Sequence, residues 1–236
     1  AFVLDTSGSM AGKKIEQAKK ALEFCLHNLN EGDRFEVVRF STEAETLFSE
    51  LKEVSKVSRE KALNFVKGLK PIGGTAINDA MAETLKLRPK DSKRPFVVIF
   101  LTDGRPTVGI TGESQIVKNV KDVAGKSRVF CFGIGNDVNT HLLDKITEST
   151  RAFSQYVLPS EDIEVKVSQF YTKINEPVMA DPDVVVSWEV DLKQFYPVPL
   201  PDLFKGDQLV VTGRYSGKGK GDLLLAGLVN GKQVKM

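Results

Sequence analysis

AFVLDTSGSMAGKKIEQAKKAL, residues 1–22, passes from an apolar run through three evenly spaced oxygen-bearing side chains, Asp5, Ser7 and Ser9, into a segment with helical periodicity. At 100° per residue Ile15, Ala18, Leu22, Cys25, Leu26 and Leu29 fall within an arc of about 100°, the core-facing stripe of an amphipathic helix predicted over residues 12–30. Phe24 points away from that stripe and is expected to be a stray exposed aromatic.

The same alternation of apolar run and helical period continues along the chain. FVL (2–4), FEVVRF (35–40), FVVIFLT (96–102), RVFCFGIG (128–135) and AFSQYVL (152–158) are continuous apolar runs, as strands buried on both faces must be. Helical periods fall near 58–69, 77–87, 113–124, 139–149 and 160–175. The pattern predicts an α/β fold, a doubly wound, mainly parallel sheet with helices on both faces. After Pro177 the period changes to two, in VVVSWEVDL (184–192), DQLVVTGRY (207–215) and DLLLAGLV (222–229), with Asn230-Gly231 as a hairpin turn signal. Two domains are therefore expected, residues 1–176 and 177–236, the second a β-strand segment forming part of an incomplete β-sandwich. YPVPLP (196–201) reads as an extended connector, because its prolines remove amide donors and forbid helix. GKGKG (217–221), with strands on either side and no helix after it, reads as a hairpin tip rather than a phosphate loop.

Composition narrows the function. Among 236 residues, 33 Lys and Arg face 31 Asp and Glu, a formal net charge of +2 with the signs interspersed, which is not the basic bias of a nucleic-acid binder. No apolar run approaches the roughly 18 to 20 residues that cross a bilayer. The chain begins at Ala1 without Met, close before Asp5, and is expected to be a piece of a longer protein whose targeting segment lies elsewhere. Cys25 and Cys131 fall in a helical and a strand pattern and are expected to be buried, reduced thiols. His27 and His141 stand apart from any HExxH or CxxC, so a zinc site is not expected.

DTSGSM lies at the carboxyl end of the first strand, the edge at which open α/β sheets bind ligands. A phosphate loop fails there, since Gly8 and Gly12 enclose only Ser9, Met10 and Ala11, and Lys13 is followed by Lys14 rather than Ser or Thr. A nucleophile elbow fails as well, because neither Ser7 nor Ser9 is flanked by glycines at both required positions. An aspartyl phosphatase would need a second Asp where Ser7 stands. A hard-cation site remains: such an ion takes oxygen ligands in a near-octahedral array and keeps water at some positions. Asp5, Ser7 and Ser9 supply a carboxylate and two hydroxyls. GGT (73–75) and LTDG (101–104), at two further strand ends, add the Thr75 hydroxyl and the Asp103 carboxylate. Each alone is an ordinary turn, but in this order and at these strand ends they form a specific set.

That set resembles the metal-ion-dependent adhesion site of von Willebrand factor type A domains, DxSxS followed by a Thr and an Asp, which Asp5, Ser7, Ser9, Thr75 and Asp103 fill. GGTAINDAM (73–81), LTDGRPTVGIT (101–111), FCFGIGNDVN (130–139) and LFKGDQLVVTGRY (203–215) are similar to the inter-alpha-trypsin inhibitor heavy chains and their bacterial relatives. The absence of an Asn-x-Ser/Thr sequon favours a bacterial member. The resemblance implies Mg2+ or Mn2+, with Ca2+ a further candidate, held by hydroxyls while Asp5 and Asp103 act largely through water. It also implies a partner protein that supplies a Glu or Asp carboxylate to the coordination position left open, hence an adhesion or interaction module and not an enzyme, extracellular or in the cell envelope. No nucleotide, nucleic acid or membrane segment is expected, and the chain is expected to be monomeric. The alternative is a structural or scaffolding A domain, also non-enzymatic, that binds partners through another face.

Overall fold

A computed structural model describes residues 1–89, 96–175, 177–186, 191–218, 220–229 and 232–235. The chain divides into two compact units, Ala1–Gln169 and Phe170–Met236. Strands of the first are β1 (Phe2–Asp5), β2 (Arg34–Phe35), β3 (Val37–Phe40), β4 (Ala44–Thr46), β5 (Lys52–Glu53), β6 (Val97–Thr102), β7 (Arg128–Ile134) and β8 (Ser154–Val157). The helices are α1 (Lys13–His27), α2 (Lys56–Gly68), α3 (Ile77–Lys86), α4 (Glu113–Ala124), α5 (Thr140–Ser149) and α6 (Ile163–Asn175). Six strands make the central sheet in the order β4-β3-β1-β6-β7-β8. All neighbours run parallel except β4, which is antiparallel to β3 at the edge.

The sheet is buried because its strands carry apolar side chains on both faces. Ile77, Met81, Ile116, Val120, Leu142 and Ile146 of α3, α4 and α5 cluster with Val3, Phe100 and Cys131 of the strands. Helices cover the other face too: α1 packs on α2 and reaches β7, burying the predicted Ile15, Ala18, Leu22, Cys25 and Leu26 stripe. Cys25 and Cys131 are free and buried, and burial pushes the Cys25 thiol up to about 12.

Several local expectations change. The first helix starts later than residue 12, after a 3-10 turn at Gly8–Met10, and ends at His27, so Leu29 is half-buried. Phe24 is half-buried rather than exposed. FEVVRF is not one strand: it breaks at Glu36, whose carboxylate is buried and accepts hydrogen bonds from the amides of Val37, Leu47, Phe48 and Glu50. A buried carboxylate must find donors, and here the backbone of the 47–50 loop provides them. The short strands β4 and β5 carry no continuous apolar run and were not expected.

In the second unit the strands are β9 (Pro177–Val186), β10 (Asp191–Tyr196), β11 (Leu203–Phe204), β12 (Thr212–Ser216), β13 (Leu223–Val229) and β14 (Lys232–Lys235). They form antiparallel sheets, β11-β9-β13-β14 and β10-β12. The run expected as one strand at 184–192 contributes to two, with residues 187–190 outside the described set, and the 207–215 strand begins only at Thr212. The expected hairpin tip at 217–221 is corrected: its flanking strands, β12 and β13, belong to different sheets, so the segment connects sheets instead of closing a ladder. Asn230-Gly231 lies outside the described residues, while the strands on either side of it pair antiparallel.

Candidate functional site

From β1 the chain builds β3 and β4 on one side and then β6, β7 and β8 on the other, so the strand order reverses between β1 and β6. Carboxyl ends at such a reversal diverge and leave a crevice. Asp5 ends β1, Thr102 ends β6, and Asp103 follows. The register pairs Leu4 with Leu101, which sets Asp5 beside Thr102.

Asp5 is fully buried. Its Oδ1 accepts the Ser7 amide at 2.8 Å and its Oδ2 accepts the Thr102 hydroxyl at 2.5 Å. Thr102 Oγ1 in turn accepts the Gly104 amide at 2.9 Å, which shapes the turn carrying Asp103. Burial pushes the Asp5 carboxyl up to about 6; the hydrogen bonds from Ser7 and Thr102 oppose the rise, and the Asp103 charge adds to it. Ser7 is buried and Ser9 exposed, with their hydroxyl oxygens 3.0 Å apart. Asp103 is buried, and its Oδ2 accepts the Lys14 ammonium at 3.2 Å. Asp103 Oδ1 is buried with no hydrogen-bond partner.

Thr75 is buried and reaches the site through its backbone ties. Its amide donates to Thr107 Oγ1 at 2.8 Å, and its carbonyl accepts the amides of Thr107 and Val108. The Gly8 amide donates to the Gly73 carbonyl and the Ile72 amide to the Thr6 carbonyl, which ties the 72–75 loop to the DTSGSM turn. Gly74 is required by packing: a Cβ there would lie 2.4 Å from Val108 Cγ2. Three loops are thus stitched together at one sheet edge. Beside them lies an open cleft of about 570 Å3 whose lining includes Arg105, Thr107, Thr111, Asn139 and His141. His141 is not isolated there, since its Nδ1 lies 2.5 Å from Glu113 Oε2.

The structure therefore links Asp5 to Ser7 and Ser7 to Ser9, places Asp103 near Asp5 through Thr102, and holds Thr75 through the loops. An unpartnered buried carboxylate oxygen together with neutral hydroxyls is the donor chemistry of a hard divalent cation. Among the described residues no group of three His, Cys, Asp or Glu side chains is placed to hold a metal ion. Sequence reasoning missed Thr102, Thr107 and Lys14. The first was legible as the hydroxyl preceding Asp103; Lys14 served only to reject a phosphate loop.

Comparisons with known proteins agree with this architecture. The family profile of the von Willebrand factor type A domain matches residues 1–156. Inter-alpha-trypsin inhibitor heavy chain H4 of Homo sapiens is 34% identical over 242 residues, 98% of this chain and 25% of the relative. Heavy chain H1 of Homo sapiens is 29% identical over 228 residues, 90% of this chain and 24% of the relative. The chain thus spans about a quarter of these curated relatives. Among solved structures, a von Willebrand factor type A protein from Catenulispora acidiphila superposes with TM-score 0.77 at 20% identity, covering 99% of this chain and 63% of that one. Proximal thread matrix protein 1 of the mussel byssus, with a zinc-occupied MIDAS motif, superposes with TM-score 0.56 at 22% identity over 72% of this chain and 44% of that one. At these identities the structural likeness speaks for the fold.

Proposed function

This chain belongs to the von Willebrand factor type A domain family, and on that premise we propose that it is a metal-ion-dependent protein-binding module. Ser7, Ser9 and Thr75 would hold Mg2+ or Mn2+ through their hydroxyls, with Asp5 and Asp103 completing the set. A divalent cation held mainly by neutral oxygens keeps part of its charge unbalanced, and supplies a bond to a Glu or Asp carboxylate of a partner protein. The observation that carries the reading is Asp103 Oδ1, a buried carboxylate oxygen with no partner at the point where the strand order reverses.

The chain's own residues supply preorganisation. Thr102 and the Ser7 amide hold both Asp5 oxygens, so that carboxylate is aimed before any cation arrives. The ties among the three loops fix Thr75 relative to Ser7. The zinc in the mussel protein's MIDAS motif supports the idea that this fold takes a divalent ion at such a motif. The reading is a binding function without catalysis, in a monomeric module placed outside the cell or in its envelope.

Calorimetric titration of EDTA-treated protein with MgCl2 and MnCl2 tests it. One site per chain is expected for the unaltered protein and no saturable heat for Asp5→Ala. Equal heats and stoichiometry for both proteins would overturn the assignment.

A further inference from the structure

Lys14 stands in the first turn of α1, where the helix dipole disfavours a cation, and its side chain is only 20% exposed. It crosses to the far side of the reversal point to pair with Asp103, a side chain 2% exposed, at 3.2 Å. The route is built for it. Gly135, just past β7, has φ +114° and lies against the lysine's alkyl chain. A Cβ at Gly135 would stand 2.6 Å from Lys14 Cε and 3.3 Å from its Nζ, so a larger residue there would make the flexible end of the lysine shift from this path. The pairing takes one Asp103 oxygen and leaves the other, Oδ1, buried and without a partner.

We propose that Lys14 is a tethered counter-cation for the adhesion site: its ammonium balances Asp103 when no divalent ion is bound, and sets metal affinity by opposing that ion's charge and competing for its carboxylate. The inference rests on the metal-binding reading above. Asp5 and Asp103 both lie buried at this sheet edge, where a carboxylate charge left without a counter-charge is costly. A fixed ammonium lowers that cost in the free site, and a dication entering the same space meets a like charge in low dielectric. The metal then has to work against a cation already in place. This device lets the sheet edge fold without metal and keeps the site from holding every divalent ion it meets.

The test compares the full chain with Lys14→Met and Lys14→Arg, titrated with MnCl2 and MgCl2 at low ionic strength, with thermal unfolding followed in EDTA. Lys14→Met is expected to bind Mn2+ about tenfold more tightly or better, to lose thermal stability in EDTA, and to recover it when metal is added. Lys14→Arg keeps the charge and should stay within about threefold of the unaltered affinity, and added NaCl should narrow the gap between the Met and Lys proteins. If Lys14→Met keeps its native circular dichroism yet binds metal with unchanged or weaker affinity, the counter-cation role is overturned and the metal site stands. If neither protein binds metal, the metal-binding reading itself falls, and this proposal with it.

Discussion

At Asp5, burial of one carboxyl group sets how stability at this sheet edge responds to pH. Burial raises the Asp5 pKa from 3.8 to about 6, so between those values the folded chain holds a proton that the unfolded chain has released. Stability from this group is complete below the unfolded pKa and is lost as pH rises through the folded one. Raising this carboxyl from 3.8 to about 6 corresponds to about 3 kcal/mol by pH 7 in the absence of metal. Asp5→Asn removes the ionisation while leaving an oxygen to accept the Ser7 amide. In EDTA it is expected to be more stable than the unaltered protein at pH 7 by about 1 to 3 kcal/mol. The two should converge near pH 4, and the variant should fail to bind metal. Urea unfolding at the two pH values checks this, and an Asp5→Asn protein less stable at pH 7 would mean that the charge is already compensated within the fold.

At the scale of elements, the loops matter more than the helices that follow them. A methyl group at Gly74 would meet Val108 Cγ2 at 2.4 Å and Thr107 Oγ1 at 3.0 Å, in the contact that holds Thr75. Gly74→Ala is therefore expected to cost about 1 to 3 kcal/mol and to weaken metal binding by displacing Thr75. A helix terminus away from the site makes the contrast. Ser55 caps α2 reciprocally with Ser58, each side chain bonding the other's amide. Ser55→Ala should cost about 1 kcal/mol and leave metal titration unchanged. Denaturant unfolding and calorimetry on the pair separate the two effects; equal loss of metal affinity in both would mean that the site responds to global stability and not to the Gly74 contact.

For the whole molecule, every strand of the six-stranded sheet and all five proposed metal-site residues lie before Gln169. The separate β sheets follow, and Phe170 on α6 is buried. We therefore expect a chain ending at residue 176 to retain α6, fold cooperatively and bind metal with the affinity of the full chain. Thermal unfolding with and without MnCl2 reports both properties. A shortened chain that folds but binds no metal would show that the second unit contributes to the site.

What the sequence determined by itself was local in origin. Apolar runs alternating with helical periods made the parallel sheet legible, because a strand buried on both faces must be apolar along its length. The helix at 113–124 matches Glu113–Ala124 because its one buried face, Ile116, Val120 and Ala124, repeats at about the helical period. The oxygen-bearing residues at strand ends were legible as types in order. Only the tertiary structure decided which of them meet, and on what. Thr102 reaches Asp5 across 97 residues and Lys14 reaches Asp103 across 89, and no periodicity reports a contact between elements so far apart. Glu36 breaks an apolar strand where the loop 11 to 14 residues further on folds back to supply its donors. The strands around 217–221 enter different sheets because pairing depends on which neighbours are free to pair, and a period of two records only that each strand has an inner face.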